Sequence, residues 1–183
     1  RRIGLGSAFF VSSDGLLVTN YHVIEGAKFA SIRLGDKTTL FVEGIAAVNA
    51  KADLALLKVN VKGQSFLTLD DGQQPKVGVK VYAIGTPQDL ENTFSDGMVS
   101  GYRDIDGVTL MQISVPISHG SSGGPLLTGN GLVVGVTSGG WRGGQNLNYA
   151  IQSAQVAELI RRKGKLQSLA SAGGKRLSKS ASA

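Results

Sequence analysis

Ten short runs of β-branched, aliphatic and aromatic residues dominate this chain, and only one segment reads convincingly as a helix. The runs are Ser7–Ser12, Leu16–Thr19, Phe29–Leu34, Thr39–Ala47, Leu54–Val59, Lys80–Ile84, Gly97–Tyr102, Val108–Ser114, Leu132–Thr137 and Leu147–Ile151. Turn residues separate them, as in Ser13-Asp14-Gly15 and Asp104-Ile105-Asp106-Gly107, and glycine is abundant (26) where proline is scarce (4). A parallel sheet needs helical crossovers between its strands, and the sequence offers none. The spacing therefore predicts an all-β sandwich or barrel.

The helix is predicted from a Ser153 cap to about Lys163, with Val156, Leu159 and Ile160 on one face and Gly164 as its stop. The polar segment Asp70-Asp71-Gly72-Gln73-Gln74-Pro75 divides the strands into two sets. The expected organisation is a first barrel over residues 1–75 and a second barrel plus helix over 76–163. Residues 164–183, rich in Gly, Ser, Ala and Lys, read as a flexible basic tail or linker.

Composition excludes several function classes. The net charge of +6 is not spread over the body, because seven of the 19 basic residues lie from Arg161 onward with no acidic residue among them. That leaves 12 basic against 13 acidic residues in 1–160, which lacks the basic stripe of a nucleic-acid binder. No run approaches the ~18 apolar residues of a membrane span. The chain has no cysteine, which removes disulfides, thiolate metal sites and a cysteine nucleophile together. Two histidines without a His-Glu-x-x-His pattern leave too few ligands for a zinc enzyme.

Chemistry concentrates in Gly120-Ser121-Ser122-Gly123-Gly124-Pro125-Leu126. Glycines flanking a serine allow a sharp turn and close approach of substrate, although a Gly/Ser surface loop would read the same way. The segment also fits the nucleophile elbow of α/β-hydrolases, but that fold places its histidine after the serine, and both His22 and His119 precede Ser122. A serine hydroxyl needs a base to become nucleophilic. His119 is only three residues from Ser122 on the same loop, whereas His22 ends an apolar strand where a short turn can hold it. Asp53, at the head of the apolar run Leu54–Val59, is the carboxylate that turn chemistry does not account for.

Together with Gly6-Ser7-Ala8-Phe9-Phe10-Val11 and Thr19-Asn20-Tyr21-His22-Val23-Ile24, these segments resemble the protease domain of the bacterial HtrA/Deg group, within the chymotrypsin-like serine proteases, over about residues 4–160. The resemblance implies two antiparallel six-stranded β-barrels with a C-terminal helix. By position it implies a triad of His22, Asp53 and Ser122, with the N–H groups of Gly120 and Ser122 as an oxyanion hole. It implies no cofactor or metal, and an endopeptidase acting on protein or peptide substrates in an extracytoplasmic compartment. A catalytically silent binding module is the alternative. Further domains and oligomeric assembly stay open, since too few residues follow Gly164 for the PDZ domains of that group.

The same fold implies a specificity pocket from Ile117, Ser118, Thr137, Ser138, Gly139 and Tyr149. These carry no charge, so small or medium apolar residues are the expected preference. His119 stands where the group usually has proline, and Ser121 stands where digestive-type relatives have aspartate. The glycine-rich stretch around Trp141 reads as a long hairpin loop or as a mobile wall of that pocket.

Overall fold

In the computed structural model, residues 4–70, 73–85, 93–118, 120–139 and 147–171 are described. His119 and Trp141 lie outside them. The apolar runs fold as two sets of antiparallel strands. The first contains β1 (Phe9–Phe10), β2 (Leu16–Thr19), the one-turn helix α1 (Tyr21–Ile24), β3 (Ser31–Arg33), β4 (Thr39–Asn49) and β5 (Leu54–Val59). The second contains β6 (Lys80–Gly85), β7 (Thr93–Ile105), β8 (Val108–Ile113), β9 (Pro125–Leu127), β10 (Val133–Ser138) and β11 (Asn148–Gln152), followed by α2 (Ser153–Arg161).

The second set closes into a six-stranded barrel in the order β10-β11-β8-β7-β6-β9. The first is barrel-like, with five strands among the described residues in the order β1-β2-β5-β4-β3. The all-β, two-barrel class read from the sequence holds, with α2 at the C-terminal end. Long strands bend to wrap these sheets. The bulges at Val42/Gly44 and Ile45/Ala47 in β4, and at Val99/Gly101 in β7, supply that curvature.

Strand β5 explains why its sequence is an almost unbroken apolar run. Leu54 and Leu56 face the core between the halves, while Ala55, Leu57 and Val59 face the interior of the first half. Both faces are buried, so alternation with polar residues disappears. The same two-sided burial holds in β11, where Tyr149 and Ile151 join the central core and Ala150 the second interior. Helix α2 lays Val156 and Leu159 onto the central core and so caps the seam.

Four expectations change. Ser153 is the first helical residue, and Gln152 occupies the cap position without a side-chain cap bond. The Gln152 amide instead donates to Thr109 O at 3.1 Å. The helix ends at Arg161, earlier than Lys163, and Glu158 pairs there with both Arg161 and Arg162. Residues 164–171 are also no flexible tail. Gln167 exchanges two backbone hydrogen bonds of 2.9 Å with Ile45, and Leu169 is buried in the first interior. Finally, strand β9 was hidden in the glycine-rich motif, because three residues after Gly124 give too short a run to read.

Candidate active site

The site forms where three turns from the two halves meet. Strand β2 runs into α1, so the chain reverses within one turn and His22 is held close to the strand end. Asp53 lies in the tight connection between β4 and β5 and has φ +55°, a left-handed conformation that aspartate and asparagine tolerate better than most residues. Its carbonyl accepts Tyr21 N–H at 3.1 Å and the Asn20 side-chain amide at 3.0 Å. These bonds tie the turn of His22 to the turn of Asp53 through the backbone.

The carboxylate of Asp53 is largely buried and well satisfied. Its Oδ1 accepts His22 N–H at 2.9 Å, and its Oδ2 lies 2.7 Å from His22 Nδ1 and accepts the Ser138 hydroxyl at 3.2 Å. Hydrogen bonding to Asp53 is the main influence that raises the His22 pKa above its ordinary value. Partial burial opposes it, and the negative charges of Asp53 and Glu25 reinforce it. A carboxylate opposite Nδ1 assigns the ring proton to that nitrogen in the neutral form, which leaves Nε2 to accept a proton.

Ser122 sits on a loop pinned by alternating backbone bonds. Ser121 N–H donates to Ser118 O at 3.0 Å, Gly123 N–H to Thr137 O at 2.8 Å, and Gly124 N–H to Ser121 O at 3.1 Å. Among the described residues, the N–H groups of Gly120 and Ser122 donate to no protein acceptor. The loop is also bonded across the seam. Ser122 O accepts Ser7 N–H at 2.8 Å, and the Ser7 hydroxyl donates to Gly120 O at 2.7 Å.

Gly123 makes that approach possible: at φ +91°, a Cβ there would lie 2.2 Å from Ser7 O and 2.5 Å from Thr19 Oγ1. Ser122 is buried, and its Oγ accepts Gly139 N–H at 3.0 Å. Among the described residues, no hydrogen bond joins Ser122 to the His22 ring in this resting arrangement.

The six residues assigned to a pocket take different places. Ile117 and Gly139 flank Ser122: a Cβ on Gly139 would lie 3.2 Å from Ser122 Oγ and 3.8 Å from Ile117 Cγ2. Ser118 supplies the carbonyl that turns the loop. Thr137 is fully buried, and its hydroxyl donates to Ser121 O at 2.8 Å and Gly124 O at 3.2 Å. Ser138 reaches Asp53, and Tyr149 packs into the central core with Val136 and Ile151.

Ser7, Thr19 and Asn20 lie in segments that carry the resemblance but were assigned no role from the sequence. The signal was present, since each is a polar residue at the end of an apolar run, and the structure buries all three.

A sequence model of the trypsin-like peptidase domain matches residues 6–136. The chain belongs to the trypsin-like peptidase family. Curated relatives of this trypsin-like domain include a probable periplasmic serine endoprotease, DegP-like, of Halomonas elongata. It is 38% identical over 177 residues, covering 89% of this chain and 36% of the relative. The putative serine protease HhoB of Synechocystis is 35% identical over 179 residues, covering 91% and 42%.

Among solved structures, the HtrA-type protease AlgW with a decapeptide matches at TM-score 0.78 and 27% identity, covering 86% of this chain and 50% of that one. A serine endoprotease from Yersinia pestis matches the fold at TM-score 0.78 and 24% identity, covering 93% and 59%. The trypsin-like domain thus spans well under half the length of these curated relatives.

Proposed function

We propose that this trypsin-like domain is a serine endopeptidase in which Ser122 attacks the carbonyl carbon of a substrate peptide bond. His22 Nε2 takes the hydroxyl proton as the bond from Ser122 Oγ to carbon forms. Asp53 holds the ring in the required tautomer and stabilises the imidazolium. The N–H groups of Gly120 and Ser122 face the developing oxyanion. Collapse of the tetrahedral intermediate expels the amine, which leaves with the proton from Nε2, and water then hydrolyses the acyl-enzyme by the same steps.

The observation that carries this reading is the 2.7 Å pairing of His22 Nδ1 with Asp53 Oδ2. It has no evident structural purpose at a partly exposed ring unless Nε2 is to act as a base. Substrates are protein or peptide segments with small or medium apolar residues entering beside Ile117 and Gly139, since Ile117, Ser118, Thr137, Ser138, Gly139 and Tyr149 carry no charge. Periplasmic relatives favour an extracytoplasmic setting.

The test is peptide hydrolysis by the native chain beside Ser122→Ala over about pH 5–9, with an expected loss near 10⁶-fold. Equal activity in the variant overturns the assignment. One observation favours the second reading, a silent binding module: Ser122 Oγ is engaged by Gly139 N–H at rest. A fluorophosphonate that leaves Ser122 unlabelled would support that module over the peptidase.

A further inference from the structure

Asn20 is fully buried, and the ordinary reasons for an asparagine do not apply to it. Its backbone is extended, with φ −73° and ψ 146°, so no left-handed turn calls for the residue. It stands at the N-cap of α1, where an asparagine oxygen usually accepts the N–H of the second or third helical residue. No such side-chain bond forms. His22 N–H donates instead to Asp53 Oδ1 at 2.9 Å, and Val23 N–H to the backbone carbonyl of Asn20 at 3.3 Å. The carboxylate of Asp53 has taken over the cap.

The side chain of Asn20 turns to Asp53 as well. Its Nδ2 donates to the Asp53 carbonyl at 3.0 Å, and a carbonyl can only accept, so this contact fixes which end of the amide faces Asp53. Oδ1 is buried on the other side, and among the described residues no protein donor reaches it. An apolar side chain of the same shape would bury no such oxygen, so packing does not call for asparagine either. What remains is the single bond to Asp53.

Asp53 is a residue that needs holding. Its φ of +55° is tolerated by aspartate but is not its preferred conformation, and such a backbone persists where its surroundings over-determine it. Two donors converge on its carbonyl, Tyr21 N–H at 3.1 Å and Asn20 Nδ2. The same backbone aims the carboxylate at His22 N–H and at Nδ1. Rotation toward the right-handed region would carry the carboxylate away from both. We propose that Asn20 is a positioning residue of the triad, whose amide locks the left-handed turn of Asp53 and so aims the carboxylate at His22. Its effect on turnover rests on the peptidase reading; its effect on the His22 ring does not.

The experiment compares the whole native chain with Asn20→Leu, Asn20→Ala and Asp53→Asn. Leucine keeps the branched shape, alanine avoids overpacking, and neither can donate to Asp53. Urea unfolding establishes that each variant is folded. Two quantities are then read: kcat and KM for a fluorogenic peptide on the alkaline plateau, and the NMR titration of the His22 ring. In both Asn20 variants kcat is expected to fall about 10- to 100-fold with KM changed by less than about twofold. The His22 midpoint should drop part of the way to its value in Asp53→Asn, because the bond to Asp53 is the largest influence raising it, while the charges of Asp53 and Glu25 persist. A folded variant with an unchanged His22 titration overturns the inference, as does one whose kcat stays within about twofold of an active native chain. Failure of both variants to fold overturns it too, since Asn20 would then serve the fold. If the native chain and Ser122→Ala hydrolyse equally, the peptidase reading fails, and a lowered His22 midpoint still supports the role of Asn20.

Discussion

Replacing Asp53 by Asn isolates the electrostatic part of the site from its scaffold. The backbone at this position has φ +55°, and asparagine accepts that conformation about as readily as aspartate. The carbonyl bonds to Tyr21 and Asn20 therefore persist, and the amide oxygen can still accept His22 N–H in the place of Oδ1.

What changes is the atom facing His22 Nδ1 at 2.7 Å, which becomes an NH₂ donor. Nδ1 must then accept, the ring proton moves to Nε2, and the nitrogen that should take the Ser122 proton is already occupied. The expected loss in kcat is about 10⁴-fold, the size seen when a triad carboxylate becomes its amide. The same change removes the largest influence raising the His22 pKa, so that pKa falls. The assay is kcat for a fluorogenic peptide across pH, together with an NMR titration of the His22 ring. Activity within tenfold of the native chain, or an unchanged His22 titration, would refute the tautomer argument.

Four further outcomes follow from the same contacts. In the native chain, His22 has a raised pKa, so activity should rise with pH through a midpoint above the ordinary value near 6.5. By linkage, the stability that protonated His22 contributes is complete below that ordinary value and is lost as pH climbs through the folded pKa; pH-dependent urea unfolding beside Asp53→Asn measures it. Gly123→Ala combines a left-handed backbone, about 1–2 kcal/mol, with a Cβ driven onto Ser7 O, so thermal unfolding should fall by at least about 4 °C and activity with it. Thr137→Val removes a fully buried hydroxyl, yet Ser121 O keeps Gly124 N–H and Gly124 O keeps Thr137 N–H. Its cost in urea unfolding should therefore stay near 1 kcal/mol, and a loss beyond about 3 would show that the hydroxyl holds the loop alone.

Strands with two buried faces were the most legible part of the sequence. Leu16–Thr19 and Leu54–Val59 were bounded correctly from the sequence because their apolar character ends abruptly at Asn20 and Asp53. Edge and curved strands were harder to bound. β7 begins at Thr93, with Ser95 and Asp96 carrying no apolar signal, and ends at Ile105; pairing with β6 makes its first part a strand and pairing with β8 its last. Thr137 and Ser138 were both named from the sequence as pocket residues, but the separate places they take were not legible there. Ser138 and Thr137 are adjacent on β10, and a one-residue step sends one hydroxyl to Asp53 and the other beneath the Ser122 loop. Only the alternation of a strand placed between those two partners fixes that choice.

The site depends on both halves in a way that neither half could supply. Asp53 and His22 come from the first half, yet Oδ2 of Asp53 takes a hydroxyl from Ser138 of the second. Ser122 comes from the second half, yet its carbonyl and that of Gly120 are both held by Ser7 of the first. Thr19 completes the bracket by donating to Ser7 O at 2.8 Å, just beside the position that Gly123 must leave empty. These are short, largely buried bonds, so a shift of one half against the other would break several at once and leave buried carbonyls without donors. Relative motion of the halves is thus coupled to the distance between His22 and Ser122.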